Sequence, residues 1–148
     1  MTDRVDYHPN CGDRRFPNPT RQGSKVRVCQ HFTRHIRVLI PTTEDIDHPA
    51  NTAAWVDRAN QLFSAHFGGA TCKPAALGFY ISENHGLVKE TVFEIEAWTT
   101  EVGLKQAKAA LEELLAEILV ELGQETVFLA VNNEAYLVTL APGKTQAA

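Results

Sequence analysis

Between positions 101 and 122 apolar side chains return every third or fourth residue: Leu104, Ala107, Leu111, Leu114, Ile118 and Leu122. That period lays them along one stripe of an α-helix, while Glu112, Glu113, Glu117 and Glu121 fall mostly between them and face water. Thr100 is placed to cap this helix, Glu101 sets a carboxylate at the positive end of its dipole, and Gly123 accepts the left-handed conformation that ends it. Beyond the stop, the runs 126–131 and 135–140 are rich in Val, Leu, Phe and Tyr. Asn132-Asn133 between them tolerates positive φ, so the pair predicts a hairpin.

Upstream, Ile36-Arg37-Val38-Leu39-Ile40 predicts a first strand from His35 to Thr42, ended by Pro41. Thr43 to Asn51 reads as an acidic linker. Thr52 then caps a first helix whose Trp55, Ala59, Leu62, Phe63, His66 and Phe67 keep helical spacing until Gly68-Gly69 stops it. Leu77–Ile81 and Val88–Trp98 follow as strands joined by the turn Ser82-Glu83-Asn84-His85-Gly86. In the second of these, Thr91, Phe93, Ile95 and Ala97 point to one face, and Glu90, Val92, Glu94, Glu96 and Trp98 to the other. The order strand, helix, strand, strand, helix, strand, with an extra C-terminal hairpin, predicts an α+β, ferredoxin-like split βαβ fold. Two helices then cover one face of an antiparallel sheet and leave the other open.

A length of 148 residues with 44% hydrophobic content suits one core. Pro9, Pro17, Pro19, Gly12 and Gly23 break up the start of the chain, which gives an irregular arm over 1–34, a domain over 35–141 and a disordered tail over 142–148. Charge is uneven along the chain. Residues 1–37 hold eight basic side chains against three acidic ones, a balance of +5, and the remainder holds six against fifteen, or −9. A basic arm on an acidic body suits nucleic acid, another anion, or docking onto its own body or a twofold mate. No apolar run is long enough for a membrane span or a signal peptide, and three cysteines, Cys11, Cys29 and Cys72, suit free thiols. A cytoplasmic protein without membrane attachment is expected.

Phe67-Gly68-Gly69, Gly78-Phe79-Tyr80, Gly86-Leu87-Val88-Lys89-Glu90 and Leu122-Gly123-Gln124-Glu125-Thr126-Val127 lie within 55–131. That stretch resembles an uncharacterised family of small bacterial domains of unknown function. The resemblance implies a ferredoxin-like module with a Gly-Gln-Glu-Ser-Val type ending to its second helix. Many members sit in lipoproteins, whereas this chain shows no lipoprotein signal and adds the basic arm. The family brings no catalytic residues.

Candidate chemistry is sparse. His8-x-x-Cys11 and Cys29-x-His31, with His35, gather metal-ligand types, but the second pair is too tight for a zinc finger and no metal site is expected. Glu90, Glu94 and Glu96 share a strand face at steps of four and two residues, a two-residue step spanning about 6.6 Å along the strand, which could serve a divalent cation or acid–base work. Solvent-facing carboxylates are the default, and Cys72 has no His partner motif. His66 reads as a partly buried structural histidine, and Gly68-Gly69 as a helix stop. The reading favoured by the sequence is a non-catalytic binding or regulatory module without a cofactor, probing a protein or small-molecule partner through its open sheet face and pairing as a homodimer. Arg34, Arg37, Leu39, Glu94, Glu96 and Trp98 are its candidate contact residues. Two alternatives remain: a nucleic-acid-associated protein using Arg14, Arg15, Arg21 and Arg27, and a small enzyme or metal-binding protein using the strand carboxylates.

Overall fold

A computed structural model describes residues 30–45, 48–49 and 52–143. The chain divides into two units, Met1–Phe32 and Thr33–Ala148, and the second holds every element discussed below. Arg14, Arg15, Arg21 and Arg27, together with His8, Cys11 and Cys29, lie outside the described residues. So does the tail from position 144 onward.

Strand β1 (Arg34–Pro41) runs along the centre of the sheet. Short strands β2 (Thr43–Asp45) and β3 (His48–Pro49) pair with each other where the sequence predicts only a linker. Helix α1 (Ala53–Phe67) follows, then β4 (Thr71–Cys72), β5 (Ala76–Ser82), β6 (Gly86–Thr99), α2 (Glu101–Glu121), β7 (Val127–Val131) and β8 (Glu134–Val138). The main sheet has the order β4-β6-β1-β7-β8, with β5 also paired to β6. Thus β4 and β5 line the same edge of β6, interrupted at Lys73-Pro74-Ala75, and every pairing is antiparallel. Pro74 has no N–H to give to a ladder, which accounts for a break there. With two helices on one side of this sheet, the fold is the ferredoxin-like α+β arrangement extended by the hairpin β7–β8.

The core fills the space between helices and sheet. Ile36, Val38 and Ile40 of β1, Ile95 and Ala97 of β6, and Val127 of β7 pack against Ala59, Phe63 and Phe67 of α1 and Ala107, Leu111, Leu114 and Ile118 of α2. Truncating the fully buried Phe63 to Ala removes apolar contact that the close-packed interior cannot recover, at a cost of about 3–5 kcal/mol.

The two helix starts differ. Thr100 is extended and its hydroxyl accepts the Gly103 N–H at 3.0 Å, as the pattern predicts. Thr52 instead has helical backbone angles and its side chain does not cap α1. Both stops are left-handed glycines, Gly68 at φ 82° and Gly123 at φ 59°. Asn132, at φ 54°, makes the β7–β8 turn. His66 is exposed on the last turn of α1, where a solvated imidazole sits near the helix's negative end, so its expected partial burial is not observed. Among the described residues no helix is long and apolar enough to cross a membrane.

Candidate functional site

The sheet face away from the helices divides into a charged half and an apolar half. The charged half comes from the β1–β6 register, which sets His35 opposite Trp98, Arg37 opposite Glu96, and Leu39 opposite Glu94. His35 stacks on Trp98 with ring centroids 4.2 Å apart and planes 8° from parallel. Its Nε2 meets Glu96 Oε2 at 2.9 Å. Lys73, just past β4, reaches both carboxylates, at 3.3 Å from Glu94 and 3.2 Å from Glu96. Arg37 approaches Glu94 at 3.8 Å. Burial alone would raise the pKa of Glu96, but hydrogen bonds from Lys73 and His35 outweigh it and hold the carboxyl below its ordinary range. Lys73 and His35 pair with the carboxylates, whereas the buried Nε of Arg37 has no hydrogen-bond partner among the described residues, and Trp98, 52% exposed, is the large apolar group left facing solvent.

Four of the six residues expected at a contact surface therefore lie together: Arg37, Glu94, Glu96 and Trp98. Arg34 does not join them. It sits opposite Thr99, turned to the other face, and pairs with Glu101 at the start of α2 at 3.1 Å. Although the sequence assigns Arg34 to the arm, it is the first residue of β1. His35 and Lys73 are the members that sequence reasoning misses. Their roles depend on cross-strand register and on the break at Pro74, neither of which alternation along a single strand reveals.

Leu39 belongs to the other half. There a cleft of about 810 Å³ opens between the β5–β6 hairpin, the end of β1, the loop from α2 to β7, and the β7–β8 hairpin. Leu39, Pro41, Val92, Phe128, Leu137 and Leu140 give it apolar walls. Glu83, Glu90 and Glu125 also line it, as does Tyr80, but among the described residues no Lys, Arg or His does. Val92, expected on an open surface, is buried, because its strand is flanked on both sides by Pro41 and Ala76.

Glu90 is half-buried in this cleft, and among the described residues its carboxylate has no hydrogen-bond or ion-pair partner. Burial pushes its pKa up from the usual carboxylate range. The Tyr80 hydroxyl is also pushed up, first by burial and then by the charges of Glu90 and Glu125. Directly across the ladder from Glu90 stands Gly78, where a Cβ would lie 3.5 Å from Glu90 Cγ and 3.6 Å from Val92 Cγ1. A glycine there leaves the carboxylate uncovered. The combination is an apolar pocket with a net negative lining, suited to a cationic group and hostile to phosphate. Among the described residues, no cluster of three or more His, Cys, Asp or Glu is placed to hold a metal ion.

Fold and cleft together define a small ferredoxin-like domain with a pocket at one end of its uncovered sheet face. The chain matches no protein-family model and no curated protein. Its fold is similar to that of a phage SAM lyase in complex with S-methyl-5′-thioadenosine, with a TM-score of 0.56 and 20% identity across 76% of this chain and 96% of that one. A phage SAM lyase in its apo state gives a TM-score of 0.56 at 15% identity, covering 79% and 97%. Divalent ion tolerance protein CutA1 from Ehrlichia chaffeensis is more distant, with a TM-score of 0.43 and 12% identity over 76% and 82%. At such identities the likeness to the two lyase structures speaks for the fold alone, a small ferredoxin-like domain. That is as far as it carries the resemblance to the bacterial family of unknown function.

Proposed function

We propose that the cleft binds a small organic cation with an apolar, nucleoside-like body, of the S-adenosylmethionine class, and that the protein breaks a carbon–sulfur bond in it. The observation that carries this reading is Glu90, a half-buried carboxylate in an apolar pocket, with no hydrogen-bond or ion-pair partner and no basic residue in the lining among the described residues. A sulfonium brought there finds an opposite charge where water screens poorly, and Leu39, Phe128 and Leu137 offer apolar surface to a nucleoside ring. The ligand class is supported by the similarity in fold to a SAM lyase holding methylthioadenosine.

The chemistry is consistent with such a pocket. Methylthioadenosine is what remains of S-adenosylmethionine when the bond from sulfur to the amino-acid arm breaks and its electron pair returns to sulfur. No water is added: as the carbon–sulfur bond breaks, the carbon it leaves is taken by an oxygen of the substrate's own carboxylate, which closes a lactone, so the arm departs as a cyclic ester and no further reactant is consumed. The positive charge on sulfur disappears along the way, so the carboxylates serve capture and orientation, while the apolar walls favour the less charged transition state. Relative to the expected non-catalytic module, the open sheet face keeps its role, but the working half is the Leu39 end rather than the Trp98 end.

Incubating the protein with S-adenosylmethionine and following methylthioadenosine by liquid chromatography and mass spectrometry tests the proposal. Protein-dependent accumulation that drops in Glu90→Gln is expected. No methylthioadenosine above background, together with no heat of binding for either compound by calorimetry, would refute it.

The homodimer reading has its own support, in a different place. Leu77, Phe79, Ile81 and Leu87 are 60%, 61%, 74% and 65% exposed on one face of the β5–β6 hairpin, a larger apolar display than the one around Trp98.

A further inference from the structure

The cleft has two walls that are distant in sequence, the β5–β6 turn and the loop after α2, and one residue joins them. The hydroxyl of buried Ser82 lies 3.2 and 3.3 Å from the two carboxylate oxygens of Glu125 and donates to them. Asn84 Nδ2 donates to Glu125 Oε1 at 2.9 Å. On the turn itself, the Ser82 hydroxyl oxygen accepts the backbone N–H groups of Asn84 and His85, at 3.2 and 3.3 Å.

The two sides of this clasp are unequally supported. Glu125 follows Gly123 and the buried Gln124, whose backbone N–H donates to the Leu119 carbonyl at 3.0 Å and whose Nε2 donates to the Leu122 carbonyl at 2.9 Å. The turn, by contrast, ends a hairpin that outruns the sheet. Pairing of β6 with β1 stops at Val92, and from Thr91 to Gly86 the ladder partner of β6 is β5. Thr42 still holds the Thr91 carbonyl, through both its N–H and its hydroxyl at 2.8 Å. Tyr80 and Glu90 lie between that attachment and the clasped turn, so the clasp fixes the far end of the segment that carries them.

Resting on the reading of the cleft given above, we infer that Glu125 is a positioning residue: it clasps Ser82 and Asn84 across the cleft and sets where Tyr80 and Glu90 meet a cationic ligand. The division of labour between the two carboxylates follows from their partners. Glu125 has its oxygens occupied by donors from the turn, whereas Glu90 has no partner among the described residues. A glutamine at 125 keeps one carbonyl acceptor for the turn but no charge, and an alanine keeps neither.

The test pairs hydrogen exchange of the ligand-free protein with calorimetry of binding of sinefungin, an S-adenosylmethionine analogue that carries an ammonium in place of the sulfonium and has no carbon–sulfur bond to break, in wild type, Glu125→Ala, Glu125→Gln and Asn84→Ala. Exchange at the Asn84 and His85 amides is expected to rise about tenfold or more in Glu125→Ala and less in Glu125→Gln. Affinity should fall about tenfold in Glu125→Ala, recover most of that loss in Glu125→Gln, and fall partway in Asn84→Ala, which removes no charge. Unchanged exchange in Glu125→Ala would overturn the clasp. Equal loss of affinity in Glu125→Gln and Glu125→Ala, with Asn84→Ala unaffected, would make Glu125 a direct ligand contact and overturn the positioning role. A wild type that binds no sinefungin would refute the cleft reading and the positioning role with it, while the exchange result would still decide whether the clasp exists.

Discussion

Two carboxylates on the same strand face, Glu90 and Glu96, meet opposite environments, and their pH behaviour should separate them. Burial raises the pKa of Glu90, so the folded state holds its proton more tightly than the unfolded chain does. Its contribution to stability is therefore full below the ordinary carboxylate pKa and is lost as pH rises through the raised value. Glu90→Gln should accordingly increase Tm at neutral pH, as seen in a thermal scan, while weakening ligand capture. Capture needs the charged form, so in wild type affinity for a sulfonium should decline on acidification from a higher pH than an ordinary carboxylate would give. For Glu96 the sign reverses: burial is outweighed by Lys73 and His35, the folded pKa is lowered, and its stabilisation is present above the ordinary pKa and lost as pH falls through the lowered one. Glu96→Gln should cost about 1 kcal/mol, on the order of 2–4 °C in Tm. Alternation along β6 is enough to place Glu90, Glu94 and Glu96 on one face. It cannot tell which of them is paired, because Lys73 and Gly78 arrive from a neighbouring edge whose register is invisible in a single strand.

Helix α2 shows how much of an element its own residues announce. Its stripe, its cap and its glycine stop are all legible, and Thr100→Ala should cost about 1 kcal/mol in chemical denaturation. Gly103 carries a constraint that periodicity hides. Its Cβ would stand 2.3 Å from the Oγ1 of buried Thr99, so Gly103→Ala should destabilise by about 1–3 kcal/mol, although an alanine within a helix ordinarily stabilises it. The linker expected over 43–51 contains the β2–β3 ladder because pairs this short leave no alternation to read. Likewise the Lys73-Pro74-Ala75 gap becomes meaningful only once β4 and β5 are seen to share a partner.

In the Thr33–Ala148 unit as a whole, one uncovered sheet face is legible from the helix stripes and strand alternation, but its division into two halves is not. Which half is free depends on Lys73, on the burial of Val92, and on a loop and a hairpin that meet through Glu125. The apolar side of the β5–β6 hairpin is a separate matter. If a second copy covers it, light scattering after size exclusion should give more than one chain's mass for wild type and a single chain for Ile81→Glu/Leu87→Glu, with the circular dichroism spectrum unchanged.

Which half of the sheet face takes the ligand is decided by a backbone amide NMR titration of the isotope-labelled protein with S-adenosylmethionine, with ATP as an anionic control. Saturable shifts from S-adenosylmethionine are expected at Gly78, Tyr80, Glu90 and Phe128, with His35 and Trp98 little changed and ATP without effect at the cleft. Shifts centred on His35 and Trp98, or an ATP response at Glu90 as strong as that of the sulfonium, would contradict it.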